Sequence, residues 1–368
     1  MRDETPLPVY PLRSLYLYLS GGCNLRCAHC WLSPEHISRK PDRERDQTGE
    51  IRAEDVKKLI RQARPLGLCR IKLSGGEPFL NPDILPIIRE ISDAEITMDI
   101  ESNGTLIDRG TARFLREIRV DQVSVSLDSS RPEYHDRFRG VKGAWEKALG
   151  GIRLMTAGGI NVQIIMSLLA DNAGDLENMI RLARESGAAS LKINPVMPVG
   201  RGQKLREQGK TLPLPKLLGL ASWVERELSS QYGIQGIFSL PSAFTPIRAF
   251  IRHAHSECRI LNILGILHTG QISICGIGKA EPRLIMGNIR EDDLAVLWAG
   301  HPLLTYLREN IPGKLKGICG RCILKGLCLG TCRAHAFVMS GDLAAPYWIC
   351  QEAYEQGLFP KTRMLECA

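Results

Sequence analysis

The sequence contains no apolar run long enough to cross a membrane. The best candidate, residues 260–267, is eight residues long and includes Asn262, whereas a membrane-spanning helix needs roughly 18 apolar residues. The first residues, Met1-Arg-Asp-Glu-Thr, also lack the apolar segment of an export signal. We therefore expect a cytoplasmic protein that makes no contact with a membrane.

Aromatic residues and net charge are also modest. Only 6% of the residues are aromatic, and 48 basic residues against 40 acidic ones give a net charge of +8. The two signs are interspersed along the chain, and a platform for single-stranded nucleic acid needs more aromatic side chains. We therefore do not expect a nucleic-acid partner.

Length and composition fit one large α/β domain with a smaller appendage. The chain has 368 residues, of which 44% are hydrophobic and 24% charged, an ordinary globular composition. Up to about residue 196, runs rich in Val, Ile and Leu alternate with amphipathic stretches, a pattern typical of βα units around a parallel sheet. The predicted strands are 15–19, 70–73, 96–100, 122–127, 162–168 and 190–194, and the predicted helices are 53–64, 82–91 with Asn81 as N-cap, 111–118, 144–157 and 176–186.

Six βα units are fewer than the eight of a closed barrel, so we predict a partial (β/α)6 TIM-like barrel that stays open. Residues 200–215 form a break rich in Gly, Pro, Lys and Arg, followed by a predicted helix at 217–228. Beyond this point Cys, Gly and short segments dominate. We therefore place a barrel domain at residues 1–235 and a small Cys-rich domain at residues 236–368.

Cysteine is the informative residue type, because twelve thiols in a chain without an export signal favour metal ligands over disulfides. Cys23, Cys27 and Cys30 form C-x3-C-x2-C directly after the first predicted strand. Three thiolates on one loop can bind a single iron–sulfur cluster and leave one iron open for chemistry. The alternative is a zinc site with His29 or His36 as the fourth ligand.

This triplet resembles the motif of the radical S-adenosylmethionine (SAM) enzymes, which lies on the loop after the first barrel strand. The resemblance continues after the second strand, where Gly75-Gly76-Glu77 matches the family's Gly-Gly-Glu segment. It implies that the backbone and the carboxylate of this segment hold the methionine ammonium of SAM. Physically, a zwitterionic cofactor needs both a carboxylate for its amine and donors for its own carboxylate.

Further cofactor contacts implied by the resemblance are Asn103 at the end of the third strand, and Ser126 and Asp128 at the end of the fourth. Arg137 and Arg139 are candidates to bind the cofactor carboxylate bidentately. The alternatives are solvated loop residues and a surface arginine beside Asp136. At position 29 the family usually has an aromatic residue that packs on adenine, whereas this chain has His29.

The C-terminal third contains a second group of cysteines that resembles the SPASM extension of some radical SAM enzymes. The resemblance implies three [4Fe–4S] clusters in total and two sets of auxiliary ligands. The outer set is Cys319, Cys322, Cys328 and Cys350, and the inner set is Cys258, Cys275 and Cys332. Because only Cys258 precedes the Gly-x4-Cys element, the inner cluster is predicted to have an open iron that His253, His255 or a substrate thiolate could occupy.

Two cysteines lie outside these groups. Cys69 opens the second strand and is predicted to be a small buried hydrophobe. Cys367 is the penultimate residue of the sequence and is predicted to be free.

The resemblance implies reductive cleavage of SAM to a 5′-deoxyadenosyl radical that abstracts hydrogen from an unactivated C–H bond. The main hypothesis is modification of a ribosomally made peptide or protein, for example by a thioether cross-link. Its expected partners are the precursor peptide, an electron donor such as flavodoxin or ferredoxin, and a separate leader-peptide-binding protein. Relatives that activate sulfatases have an Asp where this chain has Gly276, which disfavours that reaction.

Two alternatives remain open at this level. The segment from Cys328 to Cys350 also resembles haem-pathway SPASM enzymes, which suggests side-chain modification of a tetrapyrrole. A protein of a different class, either a non-catalytic iron–sulfur electron carrier or a zinc protein, would not cleave SAM, and the Gly-Gly-Glu segment argues against it.

Overall fold

The strands of the barrel follow the predicted order. The computed structural model describes residues 9–37, 49–228, 231–246 and 259–365. Within these ranges the strands are β1 (Ser14–Tyr18), β2 (Gly22–Cys23), β3 (Glu35–His36), β4 (Arg70–Ser74), β5 (Thr97–Ser102), β6 (Gln122–Ser126), β7 (Val162–Leu168), β8 (Ser190–Pro195), β9 (Gln235–Phe238), β10 (Ile263–Ile266), β11 (Gln271–Ser273) and β12 (Ile285–Asn288).

Ten of these strands, among the residues that the structure describes, form one sheet in the order β12-β11-β10-β1-β4-β5-β6-β7-β8-β9. The six predicted strands lie next to one another in sequence order and are all parallel. β9 adds a parallel strand beside β8, and β10 adds one beside β1. The prediction of an α/β partial barrel with a Cys-rich C-terminal region is therefore confirmed.

The barrel strands alternate between apolar residues that face the helices and polar residues that face the interior. In β4, Ile71 and Leu73 are fully buried in the core that the surrounding helices share, whereas Lys72 and Ser74 line an internal cavity. β6 repeats the pattern, with Val123 and Val125 outward. Successive side chains of a strand point to opposite faces, so the barrel interior is lined with polar groups and left open.

The helices of the barrel largely match the prediction, with changes at their ends. Asn81 is not an N-cap, because its amide donates to the carbonyls of Leu19 and Ile51 (2.8 and 3.0 Å) and ties the turn to the sheet. The helix therefore starts two residues later than predicted. The helices are α1 (Ala53–Ala63), α2 (Ile84–Asp93), α3 (Arg109–Ile118), α4 (Pro132–Arg139), α5 (Ala144–Ala157), α6 (Leu176–Glu185), α7 (Arg201–Glu207), α8 (Leu214–Trp223), α9 (Leu294–Gly300), α10 (Pro302–Asn310), α11 (Gly317–Gly320), α12 (Lys325–Cys328), α13 (Arg333–Ser340) and α14 (Trp348–Glu355).

The helices α7 and α8 differ from the sequence predictions for their segments. α7 occupies the segment that was predicted to be a break, and α8 begins three residues before the predicted helix. A π-helical turn, Val224–Leu228, continues α8. None of the helices in the described ranges is long and apolar enough to cross a membrane.

Residues on both sides of the predicted domain boundary contribute to the same sheet. The boundary at residue 235 coincides with the first residue of β9 (Gln235–Phe238). Further along the chain, β10 pairs in parallel with β1, with Ser14 opposite Ile263. The division into residues 1–235 and 236–368 stays a prediction, and the two parts are joined by backbone hydrogen bonds.

The junction of β10 with the Cys-rich region gives a testable prediction. A Cβ on Gly265 would lie 2.6 Å from the Cα of Cys275, whereas a Cβ on Gly150 within α5 would meet nothing within 4 Å. We expect Gly265→Ala to lower the free energy of unfolding by about 1–3 kcal/mol through overpacking. Gly150→Ala should raise it by roughly 0.5–1 kcal/mol. Equilibrium urea unfolding of both variants tests this, and equal effects would contradict it.

Candidate active site

A single large cavity occupies the interior of the barrel among the described residues. Its volume is about 1300 Å³, above the ~300–1,000 Å³ usual for one small-molecule site. The Cys23 loop lies on its wall, the polar side chains of the strands line its interior, and Cys332 and Trp348 of the C-terminal region also face it. The cavity therefore has room for a cofactor and a substrate side by side.

The loop that carries Cys23, Cys27 and Cys30 is fixed by backbone hydrogen bonds to α4. The amide of Arg26 donates to the carbonyl of Arg139, and that of Ala28 to the carbonyl of Phe138 (both 2.8 Å). All three cysteines line the cavity. The sulfur of Cys23 accepts from the amide of Leu25 at 3.4 Å. The structure therefore brings the predicted triplet together at one wall of the cavity.

Gly75 and Gly76 let the loop after β4 pass directly against the cysteine loop. A Cβ on Gly76 would lie 1.9 Å from the carbonyl oxygen of Gly22, and Gly75 has a φ of +140° that side chains rarely adopt. The amides of Gly76 and Glu77 donate to the carbonyls of Ser20 and Gly22 (both 2.9 Å). Both glycines also line the cavity, so their backbone is open to a cofactor, as the Gly-Gly-Glu prediction requires.

The carboxylate of Glu77 supports the wall of the site. It is fully buried and accepts hydrogen bonds from the Ser102 hydroxyl (2.8 Å), the Asn103 amide (2.8 Å) and the Phe79 amide (3.2 Å). Its direct contact with an ammonium stays a prediction. In the structure Glu77 holds the end of β5, where Asn103 donates to Asn24 Oδ1 (2.8 Å) and lies 3.8 Å from the sulfur of Cys23.

Ser126 and Asp128 lie in different surroundings, and their contact with the cofactor stays a prediction. Ser126 ends β6 and lines the cavity, whereas Asp128 does not. Asp128 is fully buried and accepts from Nε and Nη2 of Arg139 at 2.5 and 2.9 Å, and from the Ser167 amide at 2.9 Å. The physical reason is that a buried guanidinium needs a buried counter-charge.

The pair of Asp128 and Arg139 places a positive charge beside the cysteine loop. Burial alone would raise the pKa of Asp128, but Arg139 outweighs it and lowers this pKa to about 2. Nη1 of Arg139 donates to the sulfur of Cys27 at 3.5 Å, and the guanidinium lines the cavity. Because two of its nitrogens already bind Asp128, a bidentate contact with a cofactor carboxylate stays a prediction. Arg137 is exposed and lies over the ring of Tyr134.

His29 presents an aromatic face to the cavity. Its ring stacks on Phe138 at 4.6 Å with an angle of 5° between the planes, and Nε2 lies 3.1 Å from the Ser167 hydroxyl. Burial, and then the charge of Arg139, lower its pKa to about 3, so the ring is neutral at pH 7. This stacked ring fits the expected packing on adenine.

The four predicted outer ligands lie together. No three His, Cys, Asp or Glu side chains in the described ranges are placed to hold a single metal ion. The thiols instead surround one small pocket. A hydrogen bond with Cys350 lowers the pKa of Cys319 to about 7, against the effect of burial. The pocket is lined by Cys319, Cys322, Cys328 and Cys350, with Ala243, Lys325, Gly330 and Phe359.

The predicted inner set is only partly within the described residues. Cys332 faces the large cavity, while Cys275 is half-buried at the start of a short 3-10 helix, Gly276–Lys279. Cys258 lies outside the described residues, as do His253, His255 and Cys367, so these assignments stay predictions. The prediction for Cys69 is wrong, because its side chain is exposed beside the carbonyl of Arg13.

Sequence reasoning missed the buried Arg333. Its guanidinium is fully buried and donates to the carbonyls of Leu343 (2.9 Å), Ala345 (2.7 Å) and Gly330. Burial lowers its pKa, and the surrounding cysteines, Cys319 first, counteract this. It would therefore balance the negative charge of a thiolate-bound cluster. The available signal was an arginine directly after Cys332 in a Cys-rich run.

Two family models match the chain. The model of the radical SAM superfamily matches residues 17–183, and the model of SPASM, an iron–sulfur cluster-binding domain, matches residues 258–323. The first region contains the Cys23 loop, the Gly-Gly-Glu segment and the Asp128–Arg139 pair. The second contains Cys258, Cys275, Cys319 and Cys322.

Two curated relatives from Methanosarcina barkeri are similar over most of the length. An AdoMet-dependent heme synthase is 30% identical over 88% of this chain and 92% of its own length. An Fe-coproporphyrin III synthase is 32% identical over 96% of this chain and 90% of its own. Each of the two relatives therefore aligns with this chain across both the barrel and the Cys-rich region.

Solved structures share the fold at lower identity. SuiB of Streptococcus suis bound to S-adenosylmethionine gives a TM-score of 0.73 at 20% identity, covering 94% of this chain and 78% of SuiB. SuiB has also been solved bound to the precursor peptide SuiA. At this level of sequence identity, the similarity shows a shared fold.

The buried Asp128–Arg139 pair predicts a large stability effect. Asp128→Asn keeps the volume but leaves the guanidinium without a counter-charge, so we expect a loss of about 3–5 kcal/mol in the free energy of unfolding. The matched control is Asp93→Asn, at an exposed position, which should change it by less than about 0.5 kcal/mol. Anaerobic equilibrium urea unfolding measures both. Similar midpoints for the two variants would rule out the pairing as described.

Arg333 gives a second stability prediction. Arg333→Met removes the donor to three buried carbonyls, and unpaired buried groups cost about 1–3 kcal/mol each. We expect a loss of about 2–5 kcal/mol in the free energy of unfolding, together with loss of iron from the C-terminal region. Arg181→Met is the control, because Arg181 forms an exposed pair with Glu177. Retention of wild-type stability and iron content by Arg333→Met would contradict this.

Proposed function

We propose that this chain, which belongs to the radical SAM superfamily and carries a SPASM domain, modifies a side chain of a haem-pathway tetrapyrrole. The observation that carries the proposal is its similarity, over most of its length, to relatives named as heme and Fe-coproporphyrin III synthases, at 30% and 32% identity. The segment from Cys328 to Cys350 already suggests this reaction as an alternative to peptide modification, and the relatives favour it.

The cavity is consistent with such a substrate. A tetrapyrrole is a broad, largely apolar ring system with carboxylates at its edge, so it needs a large space with apolar walls and a few cations. The cavity of about 1300 Å³ offers Trp31 and Trp348 on its walls, and Ile165 and Ile237 from the strands. Aromatic and apolar walls with a small number of polar groups are typical of cofactor-sized sites.

The bound cofactors would supply an electron for the sulfonium of SAM and a 5′-deoxyadenosyl radical for hydrogen abstraction. Three [4Fe–4S] clusters are proposed, with an electron donor such as ferredoxin or flavodoxin. Cys23, Cys27 and Cys30 would hold the first cluster, and Gly75 and Gly76 would leave space for the amino acid end of SAM.

The rest of the wall would position the cofactor and keep water away. Arg139 places a positive charge beside Cys27, and Glu77 fixes the strand end that carries Asn103. The neutral ring of His29 offers a stacking face. Exclusion of water matters because it prevents side reactions of a reactive intermediate.

A second candidate function is modification of a ribosomally made peptide, with a separate leader-peptide-binding protein. The observation in its favour is the shared fold with SuiB, which has been solved bound to a precursor peptide. The expected open iron of the inner cluster depends on Cys258, which lies outside the described residues. We therefore place this function second.

The test is anaerobic reconstitution followed by turnover with dithionite and SAM. We expect about twelve irons per chain from three four-iron clusters, and 5′-deoxyadenosine from the wild type but not from the triple variant Cys23→Ala/Cys27→Ala/Cys30→Ala. Cys69→Ala is the matched control, since its thiol is exposed and outside both groups. Fe-coproporphyrin III added as substrate should change in mass, as measured by mass spectrometry.

Three results would contradict the proposal in different ways. Absence of 5′-deoxyadenosine from fully loaded wild type would favour an electron carrier. Nucleoside formation with unaltered tetrapyrrole, but with a modified test peptide, would favour peptide maturation. About eight irons would mean that one of the cysteine groups does not bind a cluster.

A further inference from the structure

The strands of the barrel interior carry several cations, and most have a carboxylate partner. Arg70 binds Asp99 through two nitrogens, at 2.7 and 2.9 Å. Lys72 on the same strand binds Glu101 at 2.6 Å. These pairs are neutral overall, so they contribute polarity to the cavity but little net charge.

Lys192 is different, because it has no ion-pair partner within the described residues. It lies on β8 between Ile165 of β7 and Ile237 of β9 in the strand register, and all three side chains line the cavity. The carboxylate of Glu101 favours the charged form of Lys192. It already binds Lys72, however, and lies 3.4 Å from the Ser74 hydroxyl. Burial and then the charge of Lys72 lower the pKa of Lys192. An ammonium in this position is stabilised by an anion that enters the cavity.

A second donor lies beside it on the same strand. Asn194 follows Lys192 by two residues, so both side chains point to the same face, and both line the cavity. Oδ1 of Asn194 accepts from the Ser239 hydroxyl at 2.6 Å. This hydrogen bond fixes the orientation of the amide and leaves its N–H donors for another acceptor. An ammonium and an amide N–H on one strand face match the two oxygens of a carboxylate.

We propose that Lys192 and Asn194 form a carboxylate-binding subsite that anchors a propionate of the tetrapyrrole substrate. This inference rests on the proposed function, because it assumes that the substrate is the tetrapyrrole. The subsite selects for substrates with a carboxylate edge and orients the ring within the barrel. Both residues line the same cavity as Cys23, Cys27 and Cys30, so a tetrapyrrole anchored here shares that cavity with the cofactor.

The experiment compares Fe-coproporphyrin III with its tetramethyl ester, which keeps the ring but removes the negative charges. Binding to the full-length, anaerobically reconstituted protein is followed by absorbance titration. The variants are Lys192→Met, which keeps a long side chain but removes the charge, and Lys192→Arg, which keeps the charge. Lys216→Met, at an exposed position on α8, is the matched control.

We expect Lys192→Met to weaken binding of the acid roughly 10- to 100-fold and to leave binding of the ester unchanged. Lys192→Arg should retain most of the affinity, and Lys216→Met should bind as the wild type does. Unchanged affinity of Lys192→Met for the acid, or a loss of SAM affinity in its place, would overturn the subsite while leaving the proposed function intact. If the wild type binds neither porphyrin, the proposed function fails and the subsite fails with it.

Discussion

The structure depends on the two-residue periodicity of its barrel strands. Because Ile71 and Leu73 of β4 pack outward with the helices, Lys72 and Ser74 must point inward. The same holds for β6. A barrel built this way cannot close on an apolar core, so its helices supply the packing and its interior stays available to ligands. The cavity is thus a direct result of the pattern that forms the sheet.

Most of the buried charges in and around the open polar interior have a compensating partner. Asp128 neutralises Arg139 at the cysteine loop, Glu101 neutralises Lys72 within the barrel, and the carbonyls around α13 satisfy Arg333. Each of these interactions also joins two structural elements. Asp128 and Arg139 join the end of β6 to α4, and Glu101 and Lys72 join β5 to β4. Arg333 joins the turn at Cys332 to the segment before α14. The groups that hold the fold and the groups that face the cavity are therefore neighbours on the same strands.

Much of this arrangement could be predicted from the sequence. The six barrel strands were visible because runs of Val, Ile and Leu repeat at βα spacing, and the outer cysteines were grouped by their resemblance to the SPASM extension. The partners of single polar residues could not be predicted, because tertiary structure decides them. Glu77 accepts a hydrogen bond from Ser102, and Asp128 accepts one from Arg139. Asn81 donates to the backbone carbonyls of Leu19 and Ile51. β10, a four-residue apolar run far along the chain, had no local signal that it would pair with β1.

That pairing has a consequence for how the chain folds. Ser14 and Ile263 are roughly 250 residues apart in sequence, so the first strand keeps one unpaired edge until most of the polypeptide has been synthesised. Contacts of such long range form slowly, because loop closure must precede them. An exposed strand edge is also a site for wrong pairing between chains. During biosynthesis, the vulnerable period of this protein therefore ends only when β10 has been synthesised and has paired with β1.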